Sequence, residues 1–280
     1  MKNTIVHPTD FSECANVALD YAIEVAKILK CKINIVHSLD FRRELNVEQS
    51  ATSILRLTSE LEQAAEIKLK ELRERVLEHN ITCEAKVYAV KIDSWLPEYI
   101  SKNKPMLVVM GTTGENSISN KIFGSNTYSV IKNSKSPVLA IPESARLTGA
   151  FKNFVMSTDY RDEDIEAIML LARLAKPSKA EINVVHILNE KGSKKINNKR
   201  LIDDLELRVK EKEDYFNINY DLLYNENPES RLKILVEEKK PDILTLVMKK
   251  QGFFERLFFG SLTEKLVHKG NVALLVISAD

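Results

Sequence analysis

A chain of 280 residues has room for two domains of ordinary size. Its 41 Lys and Arg stand against 40 Asp and Glu, which argues against an extended nucleic-acid surface with its clustered positive excess, and no stretch reaches the roughly 18 apolar residues that span a bilayer. The opening MKNTIVHPTDF turns polar too soon for a signal peptide; Cys14, Cys31 and Cys83 lie in apolar-periodic segments, as core cysteines of a reducing compartment do, so the expected location is cytoplasmic.

Along the chain, strand and helix patterns alternate. Thr4 to His7 reads as a strand, Glu13 to Leu29 as a helix, and Lys32 to His37 as a second strand. Val47 to His79 is a long, charge-laced helical region, followed by a strand at Thr82 to Val90 and a short helix at Ser94 to Ser101. Trp95 in that helix is expected in the core. Pro105 to Met110, Lys121 to Lys132 and Val138 to Ile141 complete a strand, a helix and a fifth strand.

The pattern then repeats. NTIVHPTDFSECANVALDYAIEVAKILKCKINIVHSLD lies over NFVMSTDYRDEDIEAIMLLARLAKPSKAEINVVHILNE, with Asp10 over Asp159 and His37 over His186 at one offset. Strands recur near Phe154, Ile182, Tyr220, Leu244 and Leu274. The joint falls in Glu143 to Ala150, giving expected domains 1–146 and 147–280. Alternation of this kind implies parallel strands with right-handed crossovers. The expected class is α/β: two tandem open five-stranded parallel sheets, helices on both faces, Rossmann-like.

Chemistry concentrates in MLVVMGTTGENSISNKIFGSNTYSVIKNSKSPVLAIP, Met106 to Pro142. Gly111, Gly114 and Gly124 are three of only eight glycines in the chain. The apolar run ends at Gly111, the edge of an open α/β sheet where ligands bind. Glycine permits positive φ and close backbone approach to a ligand. Gly124 and Ser125 open a helix whose first N–H groups favour an anion, and Ser125 can cap it. These features make a cradle for a nucleotide phosphate. There is neither a G-x-x-x-x-G-K-[ST] loop nor a G-x-G-x-x-G fingerprint.

Gly111, Gly114, Gly124 and Ser125 fit G-x2-G-x9-G-[ST], the ATP-binding signature of the universal stress protein family, which the chain resembles over its whole length. That resemblance implies an adenine-nucleotide α-hydrolase-like fold and an ATP site in the first copy. It gives Asp10 the adenine amino group, although a turn or capping role suits an aspartate there equally. It places Ser38 at the adenine, where the family usually has an apolar residue, and Met110 and Gly111 along ribose and phosphate. Asn126 offers an amide to the phosphates, and Asn116, Ser117, Ser119 and Asn120 are candidates to close over them. Mg²⁺ would enter with ATP, held by phosphates and water. No general base or metal-binding cluster is evident, so no catalytic residue is assigned and at most slow hydrolysis is expected. In the second copy Lys249 replaces the first glycine, seven residues separate Gly252 from Gly260, and Phe253, Phe254, Phe258 and Phe259 replace the polar filling. This copy is expected to have lost nucleotide binding. Single-domain family members pair through their last strands, so an internal pseudo-dimer through Val138 to Ile141 and Ala273 to Ile277 is implied, with a homodimer and a protein partner open. The expected function is regulatory ATP binding in a stress response. The alternatives are a nucleotide-free scaffold and an ATP-using enzyme of the α-hydrolase class; the latter has a Ser-Gly-Gly loop where this chain reads TDFSEC.

Overall fold

The first strand, β1 (Lys2–Thr9), carries Ile5, Val6 and His7 with no exposed surface at all. A strand covered on both faces has this continuous burial. The computed structural model describes residues 2–40, 51–113, 124–147, 149–188, 195–215, 217–248 and 272–278. They form two compact units, Met1–Glu143 and Ser144–Asp280.

In unit 1, β1 is followed by α1 (Glu13–Leu29), β2 (Lys32–Ser38), α2 (Ala51–Leu77) and β3 (Cys83–Tyr88). Then come α3 (Ile92–Asn103), β4 (Pro105–Gly111), α4 (Ser125–Asn133) and β5 (Val138–Ile141). The strand order is β3-β2-β1-β4-β5, every pairing parallel. The chain steps outward from β1 to β3, crosses back, and steps outward again through β4. The order therefore reverses between β1 and β4, and right-handed crossovers put the two sets of helices on opposite faces. α1 packs over β1, β4 and β5, burying Ala15, Ala18, Ala22 and Ala26. These small side chains allow a close approach to the sheet. The expected strands are present. α3 starts two residues earlier than its pattern, and α2 is seen from Ala51, the residues 47–50 lying outside the described ones.

His7 points into this core. Its Nδ1–H donates to the Val109 carbonyl at 2.9 Å, while Nε2 has no partner. Burial disfavours the imidazolium and lowers the pKa to about 4, against the opposing pull of the Val109 carbonyl and the Asp10 carboxylate.

Unit 2 contains β6 (Asn153–Ser157), α5 (Asp162–Ala175), β7 (Glu181–Leu188), α6 (Lys195–Lys210), β8 (Ile218–Tyr224), α7 (Pro228–Lys239), β9 (Ile243–Met248) and β10 (Ala273–Ser278). Its order is β8-β7-β6-β9-β10, again all parallel. This is the topology of unit 1 strand for strand, so the sequence repeat is a repeat of fold.

Candidate functional site

Asp10, Ser38 and Gly111 all stand at carboxyl ends of parallel strands, β1, β2 and β4. Asp10 and Gly111 flank the reversal of strand order, the place where open α/β sheets bind ligands. Thr9 is in register with His37, which sets Ser38 beside Asp10.

The bend after β1 is tightly made. Phe11 has φ 66°, a left-handed conformation that costs a bulky residue energy. Two contacts hold it there: its N–H donates to Thr9 Oγ1 at 3.0 Å, and its ring packs on His37 with centroids 4.4 Å apart. His37 is fixed in turn, its Nδ1–H donating to the Thr9 carbonyl at 2.8 Å. Burial lowers the His37 pKa, so this ring too is neutral. Asp10 Oδ1 accepts from the backbone N–H of Ser12 at 3.1 Å and from its hydroxyl at 2.6 Å. Ser12 Oγ accepts from the Ala15 N–H and caps α1. Asp10 therefore has the turn-and-cap role at half-buried exposure, in addition to any contact with a ligand.

Gly111 differs from its expected rationale. It is not among the residues with positive φ. It is glycine because α1 lies against it: a Cβ would stand 2.8 Å from Cys14 Sγ and 3.1 Å from the Cys14 backbone. Close helix–strand packing, not backbone conformation, excludes a side chain there. Cys14 lies fully buried beneath it, its thiol donating to the Ile141 carbonyl at 3.3 Å. Met110, just before, is also buried, 4% exposed.

At the far end of the loop, Gly124 is the N-cap of α4 with φ −57° and ψ 154°, and no side chain caps the helix. Ser125 is thus the first helical residue and does not cap it, a correction of one position. Ser125 and Asn126 are exposed on the first turn. The first amides of a helix have no partner within it, so those of α4 are left to an outside acceptor. The Gly124 N–H donates to the Thr112 carbonyl at 2.8 Å, and the Thr112 N–H to the Ile141 carbonyl at 2.9 Å. Thr127, buried on the next position but one, donates its hydroxyl to the Gly111 carbonyl at 2.8 Å. The two ends of the glycine loop are therefore pinned together. Thr112 and Thr127 were not singled out in the sequence; a β-branched hydroxyl three residues after Gly124 was the available signal. Gly114, Asn116, Ser117, Ser119 and Asn120 lie outside the described residues, as do Lys249 to Ser261.

Trp95 is a second difference. Leu96 and Ile100 supply the fully buried face of α3, whereas Trp95 is half-buried and donates Nε1–H to Ser38 Oγ at 2.8 Å. Among the described residues no group of three or more His, Cys, Asp or Glu is placed to hold a metal ion, and no helix is long and apolar enough to cross a membrane.

Unit 2 builds the same bend. Tyr160 has φ 62°, donates its N–H to Thr158 Oγ1 at 3.0 Å and packs on His186 at 4.3 Å. His186 Nδ1–H donates to the Thr158 carbonyl at 2.5 Å. Here, however, Asp164 holds the turn. Its Oδ2 accepts from Thr158 Oγ1 at 2.6 Å, from Asp159 N at 3.1 Å and from Arg161 N at 2.9 Å. Burial raises the Asp164 pKa, and its Oδ1 has no partner. Asp159, the repeat of Asp10, lies 3.3 Å from Arg161 Nη2 and 3.8 Å from His186 Nδ1.

The universal stress protein family model matches this chain twice, over residues 1–142 and 150–278. The chain is 31% identical over 139 residues to the universal stress protein MJ0531 of Methanocaldococcus jannaschii, an alignment covering 49% of this chain and 80% of that protein. A universal stress protein of Archaeoglobus fulgidus superposes with a TM-score of 0.75 at 16% identity, covering 99% of both chains. A putative universal stress protein of Pseudomonas aeruginosa gives 0.64 at 11% identity, over 99% of this chain and 93% of that one. Those two likenesses are of fold; the family model, matched once in each half, gives the kinship. The chain belongs to the universal stress protein family, as a tandem member with one family unit in each half.

Proposed function

We propose that the first repeat, residues 1–146, binds an adenine nucleotide, ATP with accompanying Mg²⁺, and that the chain acts as a cytoplasmic regulatory protein of the stress response through a protein partner. The observation that carries this reading is the mouth of the glycine loop. Gly111, bare of side chain, and the uncapped first turn of α4 are held together at the strand-order reversal by the Thr112–Gly124 and Thr127–Gly111 hydrogen bonds. Helix amides without a capping side chain, beside a strand end without a Cβ, suit phosphate oxygens. Asp10 supplies an acceptor for the base amino group, and Ser38, Met110, Gly114, Ser125 and Asn126 complete the contacts. Among the described residues no carboxylate cluster is placed to hold Mg²⁺, and the ion would be coordinated chiefly by phosphates and water.

A nucleotide-free role is favoured for the second repeat, residues 147–280. There the buried Asp164 carboxylate stands at the head of α5, where unit 1 has Ala15. A carboxylate so placed opposes a phosphate by like charge.

The experiment is mass spectrometry of nucleotide released from acid-denatured protein, with titration calorimetry of the full chain against ATP. One ATP per chain is expected. Gly124→Trp, which fills the mouth of the loop, is expected to abolish binding while the chain keeps its circular dichroism spectrum. No heat at millimolar ATP would overturn the reading.

A further inference from the structure

The pairing of β1 with β4 stops short at the strand-order reversal. It runs in register only as far as Val6↔Val108, although β1 continues to Thr9 and β4 to Gly111. In unit 2 the same level is Val155↔Leu244, and the pairing there goes on through Met156↔Thr245 to Ser157↔Leu246. Unit 2 is therefore laced two residues further towards the carboxyl edge of its sheet.

The cause is one missing N–H. Val108 donates its N–H towards β5, to the Pro137 carbonyl at 2.9 Å. Peptide groups alternate sides along a strand, so the Val109 carbonyl faces β1. The next rung of the ladder would bring the N–H of residue 8 to that carbonyl, and Pro8 has none. Proline is ordinarily kept to edge strands for this reason, whereas β1 is paired on both sides, with β2 and β4. The Val109 carbonyl is served instead by a side chain, His7 Nδ1–H donating to it at 2.9 Å. Met156 and Ser157 hold these two places in unit 2. Ser157 has the backbone N–H that the rung requires, and Met156 has no donor to offer in its stead.

Asp10 follows the unlaced end of β1, and Gly111 ends β4, so the missing rung lies between the two sides of the crevice. Laced strands are held about 4.8 Å apart; ends without a rung part without breaking a hydrogen bond. We propose that Pro8 is a positioning residue of the unit 1 crevice, leaving the ends of β1 and β4 unlaced so that the bend carrying Asp10 stands clear of Gly111 when a nucleotide enters. His7 makes this arrangement stable, because it satisfies the buried carbonyl that Pro8 leaves without a ladder donor. The proposal rests on the reading that this crevice takes a nucleotide.

The test returns an N–H to position 8 in the full chain. Pro8→Ala and the His7→Met/Pro8→Ser double variant, which installs the residues of unit 2, are compared with wild type. Hydrogen exchange without nucleotide is expected to show the new amide at position 8 as slow as the neighbouring ladder amides of β1. ATP affinity by calorimetry is expected to fall about tenfold or more in both variants, while the urea midpoint read by Trp95 emission stays at the wild-type value. A protected amide at position 8 with unchanged ATP affinity overturns the proposal and leaves the nucleotide reading standing. So does a freely exchanging amide there, since proline would then not be what withholds the rung, and so does a loss of affinity seen only where the midpoint also drops. Wild type without affinity for ATP overturns both.

Discussion

The two units make the same bend after their first strand with different chemistry. Thr9-Asp10-Phe11 and Thr158-Asp159-Tyr160 share the positive φ of the aromatic, the threonine acceptor and the packed histidine. Unit 1 ties the turn with Asp10 and Ser12; unit 2 ties it with Asp164, four residues further along than Tyr160. The shared aspartate by itself therefore does not mark a ligand site, since unit 2 holds its bend through Asp164. What separates the units is the charge set beneath the crevice. Unit 1 has Cys14 and Ala15 there, while unit 2 has Glu163 and the buried Asp164. The first turn of the first helix carries one acidic residue in unit 1, Glu13, and three in unit 2, Asp162, Glu163 and Asp164.

The largest expected effect that sharpens this contrast is the pH dependence of unit 1. His7 occupies the position that Met156 holds in unit 2, and its folded pKa of about 4 lies below the ordinary 6.5. Between these values the unfolded chain binds a proton that the folded chain does not, so stability is full above the ordinary value and falls as pH drops towards 4. The loss amounts to at most about 3 kcal/mol. Burial of His37 acts in the same direction, so the measurement is a difference. Trp95 is the only tryptophan of the chain and lies in unit 1, so its emission follows that unit alone. Urea unfolding read by Trp95 at pH 7 and pH 4.5 is expected to show a smaller loss in His7→Met than in wild type. Equal losses would remove His7 as the cause.

Next comes the packing of α1 under the loop. Gly111→Ala sets a Cβ against Cys14 and is expected to destabilise unit 1 by about 2 kcal/mol. Cys14→Ala removes the thiol but not the backbone contact, so in the double variant it should recover part of that loss. Strict additivity in this cycle would show that the two positions do not meet.

Smallest is the cap. Ser12→Ala loses the acceptor for the Ala15 N–H and should cost unit 1 about 1 kcal/mol. Arg161 occupies the same position in unit 2, but its backbone rather than its side chain serves the turn, and its side chain makes a partly exposed ion pair with Asp159. Arg161→Ala is expected to cost about 0.5 kcal/mol or less, measured by hydrogen exchange of the β6 and β7 amides. A larger cost than that of Ser12→Ala would reverse the comparison.

Much of the frame was legible before any coordinate. Apolar runs such as Leu107 to Met110 and Val138 to Ile141 carry their own signature, and the repeat joined Asp10 to Asp159 without error. The site was legible only in outline. Gly111 was singled out correctly, yet its reason lies in Cys14, nearly a hundred residues away, and no local pattern reports such an encounter. Ser125 looked like a cap because serine commonly is one, but the helix starts one residue earlier than that role needs, with Gly124 as cap. Trp95 looked like core because a large apolar ring in an amphipathic helix usually is. Its N–H partner Ser38 is brought alongside by strand pairing between β2 and β3, which sequence spacing does not encode.

The hydrogen bond between the Gly124 N–H and the Thr112 carbonyl fixes how far apart the two ends of the glycine loop stand. For a ring with tethered ends, the entropic cost of length grows only logarithmically, by about 0.6 kcal/mol per doubling. The length of the chain between them is therefore a weak lever on the stability of the scaffold. Evolution, or an engineer, can lengthen or shorten the stretch between Thr112 and Gly124 at a small entropic cost to the sheet that holds its ends.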